Sequence, residues 1–71
     1  MTRPIRYTRF GLAENPVGQI VTWTIGDRTY LADVVGVYHR ESPAAFMLKT
    51  RQFCGDEGPE VAASAVRLVL P

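Results

Sequence analysis

Three arginines recur at every third position near the start of the chain, in RPIRYTRF, with aromatic side chains between them. No acid precedes them, so the first ten residues carry a local side-chain charge of +3. Arginine contacts phosphate oxygens and aromatic rings stack on bases, so these residue types suit nucleic-acid binding. The candidate contacts are Arg3, Arg6, Tyr7, Arg9 and Phe10. The alternative is an edge strand or frayed terminus with solvated arginines, a position that Pro4 favours.

A second group of cations lies in the middle of the chain. Lys49 and Arg51 share one face of a predicted strand, and Arg40 stands across the preceding loop. Small β-barrels use such surfaces for nucleic acid, with aromatic residues as stacking platforms. The candidate platforms here are Tyr30 and Tyr38. The alternative is a solvated sheet face, because the acidic loop around 56–60 could pair with these cations and cancel them.

Few residues suit catalysis or metal binding. His39 and Glu41 could form an acid–base pair, but the sequence places no nucleophile beside them, and a polar strand exit explains them better. Cys54 is the only cysteine, which excludes an internal disulfide and, with a single histidine, a structural zinc site. The sequence has no glycine-rich phosphate loop and no catalytic motif. We therefore expect no enzyme activity, no cofactor and no metal.

Length and composition predict one small globular domain. A chain of 71 residues has a thin core, and oligomerisation is the additional support that we expect, since disulfides and zinc are excluded. The net charge of +1 gives little long-range attraction for an anionic partner. No apolar run is long enough to span a membrane, and the N-terminus does not resemble a secretory signal. These features predict a cytoplasmic protein without a membrane partner.

Hydrophobic residues mostly alternate with polar ones, which predicts β-strands. In QIVTWTI, Val21, Trp23 and Ile25 face one way, and the following GDR is a turn. TYLADVVGVYH is a long strand in which Gly36 marks a bulge or bend. Further strands are predicted at AFMLKTRQF, EVAA and VRLVL. About five short strands with tight loops, with one helical turn before the last strand, predict an all-β fold, a small SH3-like barrel.

The motifs GDRTYLADVVGVY and EVAASAVRLVLP resemble the SH3-like barrel superfamily, and within it the plasmid-borne type II dihydrofolate reductases of bacteria. The resemblance covers roughly residues 26–70 and implies a barrel that forms oligomers. In those reductases a Val-Gln-Ile-Tyr segment lines a tetramer pore, whereas the matching stretch here is VAAS at 61–64. Val37 also stands where that family has tryptophan. The resemblance therefore implies the barrel without the reductase site.

These observations predict a barrel over residues 19–71, preceded by a basic edge strand or arm over residues 1–18. The function they favour is a small non-catalytic binding module, either nucleic-acid-binding or regulatory. A protein-interaction module that forms homo-oligomers through its barrel edges is the alternative, and an enzyme built between subunits is a distant third. The predicted nucleic-acid contacts are Arg3, Arg6, Tyr7, Arg9, Arg40, Lys49 and Arg51.

Overall fold

Antiparallel strands make up most of the molecule. A computed structural model describes residues 1–71 and contains eight strands and one 3-10 turn. The strands are β1 (Thr2–Pro4), β2 (Tyr7–Thr8), β3 (Gly11–Leu12), β4 (Ile20–Ile25), β5 (Arg28–Glu41), β6 (Ala44–Arg51), β7 (Glu57–Ala62) and β8 (Arg67–Val69), and the turn is Ala63–Ala65. Six strands form one sheet in the order β1-β8-β4-β5-β6-β7, while β2 and β3 form a separate hairpin. The predicted all-β class is confirmed.

Two turns and a bulge shape the centre of the sheet. Ile25 pairs with Arg28, so the β4–β5 loop has two residues, and Gly26 supplies the positive φ of 63° that its first position requires. Farther along β5, the register shifts between Val34 and Gly36 against β6, as the isolated glycine predicts. The bulge lets the 14-residue strand bend over the core.

The connection between β7 and β8 requires the sheet to curl. These strands lie four positions apart in the sheet, a separation of about 19 Å if the sheet were flat. Only the Ala63–Ala65 turn and Val66 join them, and such a segment spans roughly 13 Å. Curling brings the two strands within reach of each other, so their inward side chains enclose one core.

The core is a single cluster contributed by almost every element. Its buried members are Ile5, Val21, Trp23, Ala32, Val34, Leu48, Ala63, Val66 and Leu68. Val21 and Leu48 are fully buried, which agrees with the alternation read from the sequence. Ile25, predicted on the same face as Val21, is instead 64% exposed, because it lies at the open end of the sheet beyond the reach of the opposite strands.

The N-terminal stretch is not one continuous strand. Thr2–Pro4 pairs along β8 at the sheet edge, and the chain then turns inward at Ile5, which is 5% exposed. The β2–β3 hairpin follows and packs against Phe46, whose ring centroid lies 6.4 Å from that of Tyr7. Residues 1–18 therefore combine an edge strand with a hairpin that covers one end of the sheet.

Candidate binding groove

The first predicted cation is occupied by a structural ion pair. Arg3 Nη2 donates to Glu14 Oε2 at 2.6 Å, and Nη1 lies 2.6 Å from Oε1, outside hydrogen-bond geometry. The hydrogen bond to the arginine lowers the pKa of Glu14 and raises that of Arg3. This pair ties β1 to the 13–19 loop, so Arg3 is not free to contact a phosphate.

The remaining N-terminal candidates lie on the β2–β3 hairpin. Arg6 and Arg9 are exposed, and Arg9 lies over the ring of Phe10, with its guanidinium carbon 5.1 Å from the ring centroid. Phe10 is 87% exposed at the hairpin tip, where its backbone N–H donates to Thr8 Oγ1 at 3.1 Å. Tyr7 lies against the body of the protein, and desolvation raises its pKa. The hairpin thus presents two cations and one almost fully exposed aromatic ring, which Arg9 covers on one face.

The central candidates share their surface with acids. The register of β5, β6 and β7 places Lys49 opposite Glu60 and places Arg51 between Asp33 and Glu57. Arg40, farther along β5, donates its Nε–H to the Pro43 carbonyl at 3.0 Å. Three cations on this outer face are therefore balanced by three acids.

The predicted stacking platforms are also engaged within the protein. Lys49 Nζ lies 5.6 Å from the centroid of the Tyr38 ring. A hydrogen bond with Glu60, followed by desolvation, raises the pKa of the Tyr38 hydroxyl. Tyr30 stacks on Trp23 and belongs to a different surface. The outer face therefore offers neither net positive charge nor a free aromatic ring.

His39 and Glu41 point to the same side of β5, and His39 Nδ1 lies 3.7 Å from Glu41 Oε1. The imidazole meets Phe46 edge to face, with a centroid distance of 4.9 Å. Both polar side chains are solvent-exposed, and neither forms a hydrogen bond with a hydroxyl or a thiol. No group of three or more His, Cys, Asp or Glu side chains is arranged to hold a metal ion. The single helical turn cannot cross a membrane.

The largest concavity is an open apolar groove at the end of the sheet where β4 turns into β5. It encloses about 520 Å³, and seven of its nine lining residues are hydrophobic. The lining residues are Trp23, Ile25, Tyr30, Leu31, Ala32, Gln52, Phe53, Cys54 and Pro59. Three of them are large aliphatic or aromatic side chains that remain mostly exposed: Ile25 at 64%, Phe53 at 61% and Leu31 at 51%.

The base of the groove is built by cross-strand pairing. Trp23 pairs with Tyr30, and their rings stack with centroids 5.6 Å apart and planes at 15°. Thr22 Oγ1 donates to the Tyr30 carbonyl at 2.8 Å and fixes the backbone at this position. Because Trp23 is 8% exposed, its ring joins the core to the surface of the groove.

The opposite wall comes from the loop between β6 and β7. Gly55 N–H donates to the Gln52 carbonyl and Gln52 N–H to the Asp56 carbonyl, both at 2.8 Å, so Phe53 is presented on a closed turn. Gly55 has a φ of 97°, a conformation that favours glycine. Buried Thr50 donates its hydroxyl to the Pro59 carbonyl at 2.6 Å, which holds Pro59 beside the groove.

Sequence patterns did not indicate this site. Trp23 and Ile25 lie on the predicted apolar face of β4, but no pattern in the sequence assigns Ile25, Phe53 or Pro59 to a binding site. They are separated by up to 34 residues, from Ile25 to Pro59, and only the curled sheet brings them together. The sequence feature that could have indicated the groove is Phe53, a large apolar residue directly before the glycine-containing loop CGDEG.

Comparison of the chain with protein-family models, with curated proteins and with solved structures finds no match. The geometry of the molecule therefore carries the functional argument.

Proposed function

We propose that this chain is a small non-catalytic binding module that takes up an apolar segment of a protein in the groove. The body, residues 19–71, is an SH3-like barrel in this proposal, and residues 1–18 are its basic N-terminal arm. The strand order β8-β4-β5-β6-β7 and the 3-10 turn before β8 support the barrel. The same features support the relationship to the SH3-like superfamily.

The observation that carries the proposal is the exposure of large apolar side chains around one concave site. Ile25, Leu31 and Phe53 line a groove of about 520 Å³ and are each more than half exposed. Apolar surface concentrated in one place marks a binding site, whereas scattered exposed residues need no explanation. A groove without charged lining residues selects an apolar occupant, because a charged one would lose hydration without gaining a partner.

The sheet edges are poor alternatives as contact sites. Pro4 interrupts the donor pattern of β1, and Pro59 does the same for β7. Glu57 and Glu60 add negative charge along β7. Prolines and charges on edge strands oppose the addition of another strand. The proposed protein contact is therefore placed in the groove rather than at an edge.

A peptide-display selection against the folded protein tests this function. Random peptides that bind are expected to share large apolar or aromatic side chains, and their binding is expected to change the fluorescence of Trp23, the only tryptophan. The Phe53→Ser variant is expected to bind the selected peptides about tenfold more weakly or worse, since it removes an exposed apolar wall.

The matched control is Val35→Ser, which removes a 45% exposed apolar side chain at the β5 bulge, outside the groove. We expect it to bind as the wild type does. Selection that yields no binding peptide, or peptides bound equally well by Phe53→Ser, would rule out the groove as a protein-binding site.

A second candidate function, binding of single-stranded nucleic acid, is favoured by one observation on the hairpin. Arg6 and Arg9 form no ion pair there, and Phe10 offers an almost fully exposed ring. Backbone phosphates and stacked bases recognise this combination. Titration of a fluorescent oligonucleotide at low salt tests it: binding is expected to weaken with added salt and with Phe10→Ser, and absence of binding rejects it.

A further inference from the structure

We propose that the segment bound in the groove is the β2–β3 hairpin of a second copy of this chain, with Phe10 as the inserted side chain. The inference rests on the proposed function, since it identifies the partner of that same groove. It differs from assembly through sheet edges, because no strand pairing between copies is involved.

The hairpin is an apolar projection that the protein itself does not cover. Phe10 is 87% exposed, the most exposed large hydrophobic residue apart from the N-terminal methionine. The tip is nevertheless ordered, since Thr8 Oγ1 accepts the Phe10 N–H at 3.1 Å and Tyr7 anchors the base on Phe46. An ordered, exposed aromatic ring loses little conformational entropy when it enters a pocket.

Charge favours this occupant over an apolar segment of arbitrary sequence. The hairpin region 5–13 carries Arg6 and Arg9 and no acid. The two loops that bound the groove carry Asp27, Asp56 and Glu57 against Arg28, and Arg51 lies opposite Glu57, so the rim has a net charge of −1 with Arg51 included. Neither Arg6 nor Arg9 lies within ion-pair distance of an acid, although the charge of Arg6 helps to lower the pKa of Glu14, and the loop acids form no ion pair either. The two surfaces are therefore electrostatically complementary, which favours encounter and orientation.

The positions of hairpin and groove require two molecules. The hairpin contacts Phe46, which pairs with His39 toward the far end of β5. The groove lies around Tyr30, near the start of the same strand. Hairpin and groove thus lie near opposite ends of β5, and a hairpin anchored on Phe46 does not reach the groove of its own chain. A head-to-tail contact of this kind adds copies in open chains unless its rotation closes a ring.

The dimensions allow the insertion and predict its strength. A groove of about 520 Å³ has ample room for one phenylalanine side chain and the flanking turn. A hairpin tip buries less area than a standard protein interface. We therefore expect weak association, in the micromolar range or above, that appears only as the protein concentration rises.

Sedimentation velocity of the full chain over a concentration series tests the inference. The wild type is expected to show a weight-average mass that rises with concentration. Phe10→Ser and Phe53→Ser are each expected to weaken association about tenfold or more. Both side chains are exposed, so neither change should unfold the protein. Val17→Ser, which removes a 44% exposed apolar side chain in the loop before β4, is the matched control and should associate like the wild type.

Mixing the two defective variants gives the decisive measurement. The Phe53→Ser chain keeps its hairpin and the Phe10→Ser chain keeps its groove, so an equimolar mixture retains one intact contact. We expect that mixture to form a one-to-one complex that does not grow further. If the variants had lost only unspecific association between apolar surfaces, mixing them would not restore a complex.

Several results would overturn the inference. A monomeric wild type at the highest concentration would do so, as would unchanged association of Phe10→Ser or a mixture that stays monomeric. None of these results excludes peptide binding in the groove. If the monomer binds the displayed peptides, the proposed function stands. If no displayed peptide binds and Phe53→Ser self-associates as the wild type does, both the proposed function and this inference are rejected.

Discussion

Trp23 and Tyr30 lie opposite each other on β4 and β5, with their rings stacked at a centroid distance of 5.6 Å. The pair marks the point where the core of the curled sheet becomes the base of the groove. Trp23 is 8% exposed and packs with the core, whereas Tyr30 is 38% exposed and faces the groove. The stacked pair therefore contributes both to the packing of the core and to the base of the proposed binding groove.

Replacing Tyr30 with alanine is expected to destabilise the protein by about 1–2 kcal/mol, because it removes the stacked partner of Trp23 and part of its cover. Urea unfolding followed by circular dichroism measures the change. Leu31→Ala, which truncates the next and more exposed residue, should cost less. Equal costs for the two variants would show that the stacked pair adds no stability.

Gly11→Ala is expected to loosen the hairpin. Gly11 has a φ of 130°, and an added Cβ would lie 2.9 Å from Phe46 Cζ, so both the backbone and the ring must adjust. Gly18→Ala is the matched control, since Gly18 has a φ of 88° but open space around it. We expect Gly11→Ala to cost about 1 kcal/mol more in unfolding experiments. Equal costs would mean that the contact with Phe46 does not restrain the hairpin.

The Arg3–Glu14 pair predicts a specific acid sensitivity. Arg3 lowers the folded-state pKa of Glu14 below its ordinary value of 4.5, so the unfolded chain binds this proton more tightly than the folded one. The resulting stability is present above pH 4.5 and is lost as the pH falls through the folded-state pKa.

Urea midpoints measured from neutral to acidic pH test this sensitivity. The Glu14→Gln variant should lose less stability on acidification than the wild type, while starting from a lower value at neutral pH. Glu57→Gln, which removes an exposed acid without an ion-pair partner, is the control. Identical pH profiles for wild type and Glu14→Gln would contradict the role of the pair.

Nucleic-acid binding, if the second candidate function holds, depends on the hairpin and not on the outer face. Arg9→Ser is expected to weaken oligonucleotide binding and to lower the slope of log affinity against log salt by about 0.7, the value for one lost phosphate contact on a single strand. Arg51→Ser should have little effect, because Arg51 lies between two acids. The reverse order of effects would place the nucleic acid on the outer face.

Local patterns in the sequence were sufficient to predict the longer strands of the sheet, but they did not predict the β2–β3 hairpin. Alternation located β4 and the turn after it, and Gly36 located the bulge in β5. The break of the N-terminal stretch at Ile5 was not predicted, because burial of a lone isoleucine depends on the core it meets. Alternation of apolar and polar residues identifies a strand, but it does not show where the chain changes direction.

The site was less accessible to sequence reasoning than the fold. The cations at Lys49 and Arg51 formed a visible pattern, yet cross-strand neighbours fixed only by the register place acids beside them. Phe53 stands out only as a large apolar residue before a loop, and Ile25 continues the alternation of its strand, so neither position shows that the curled sheet brings the two residues together. Sequence patterns therefore identified the cations, while the register determined which of them face acids and the curl of the sheet formed the groove.

Mapping of backbone amide shifts by NMR, with a selected apolar peptide added to the wild type at a concentration where it is monomeric, tests the groove most directly. The groove account predicts shifts concentrated at residues 23–32 and 52–59, with little change at the hairpin or along 34–41. Shifts concentrated on the hairpin or on the outer face, with the signals around Trp23 unmoved, would contradict it.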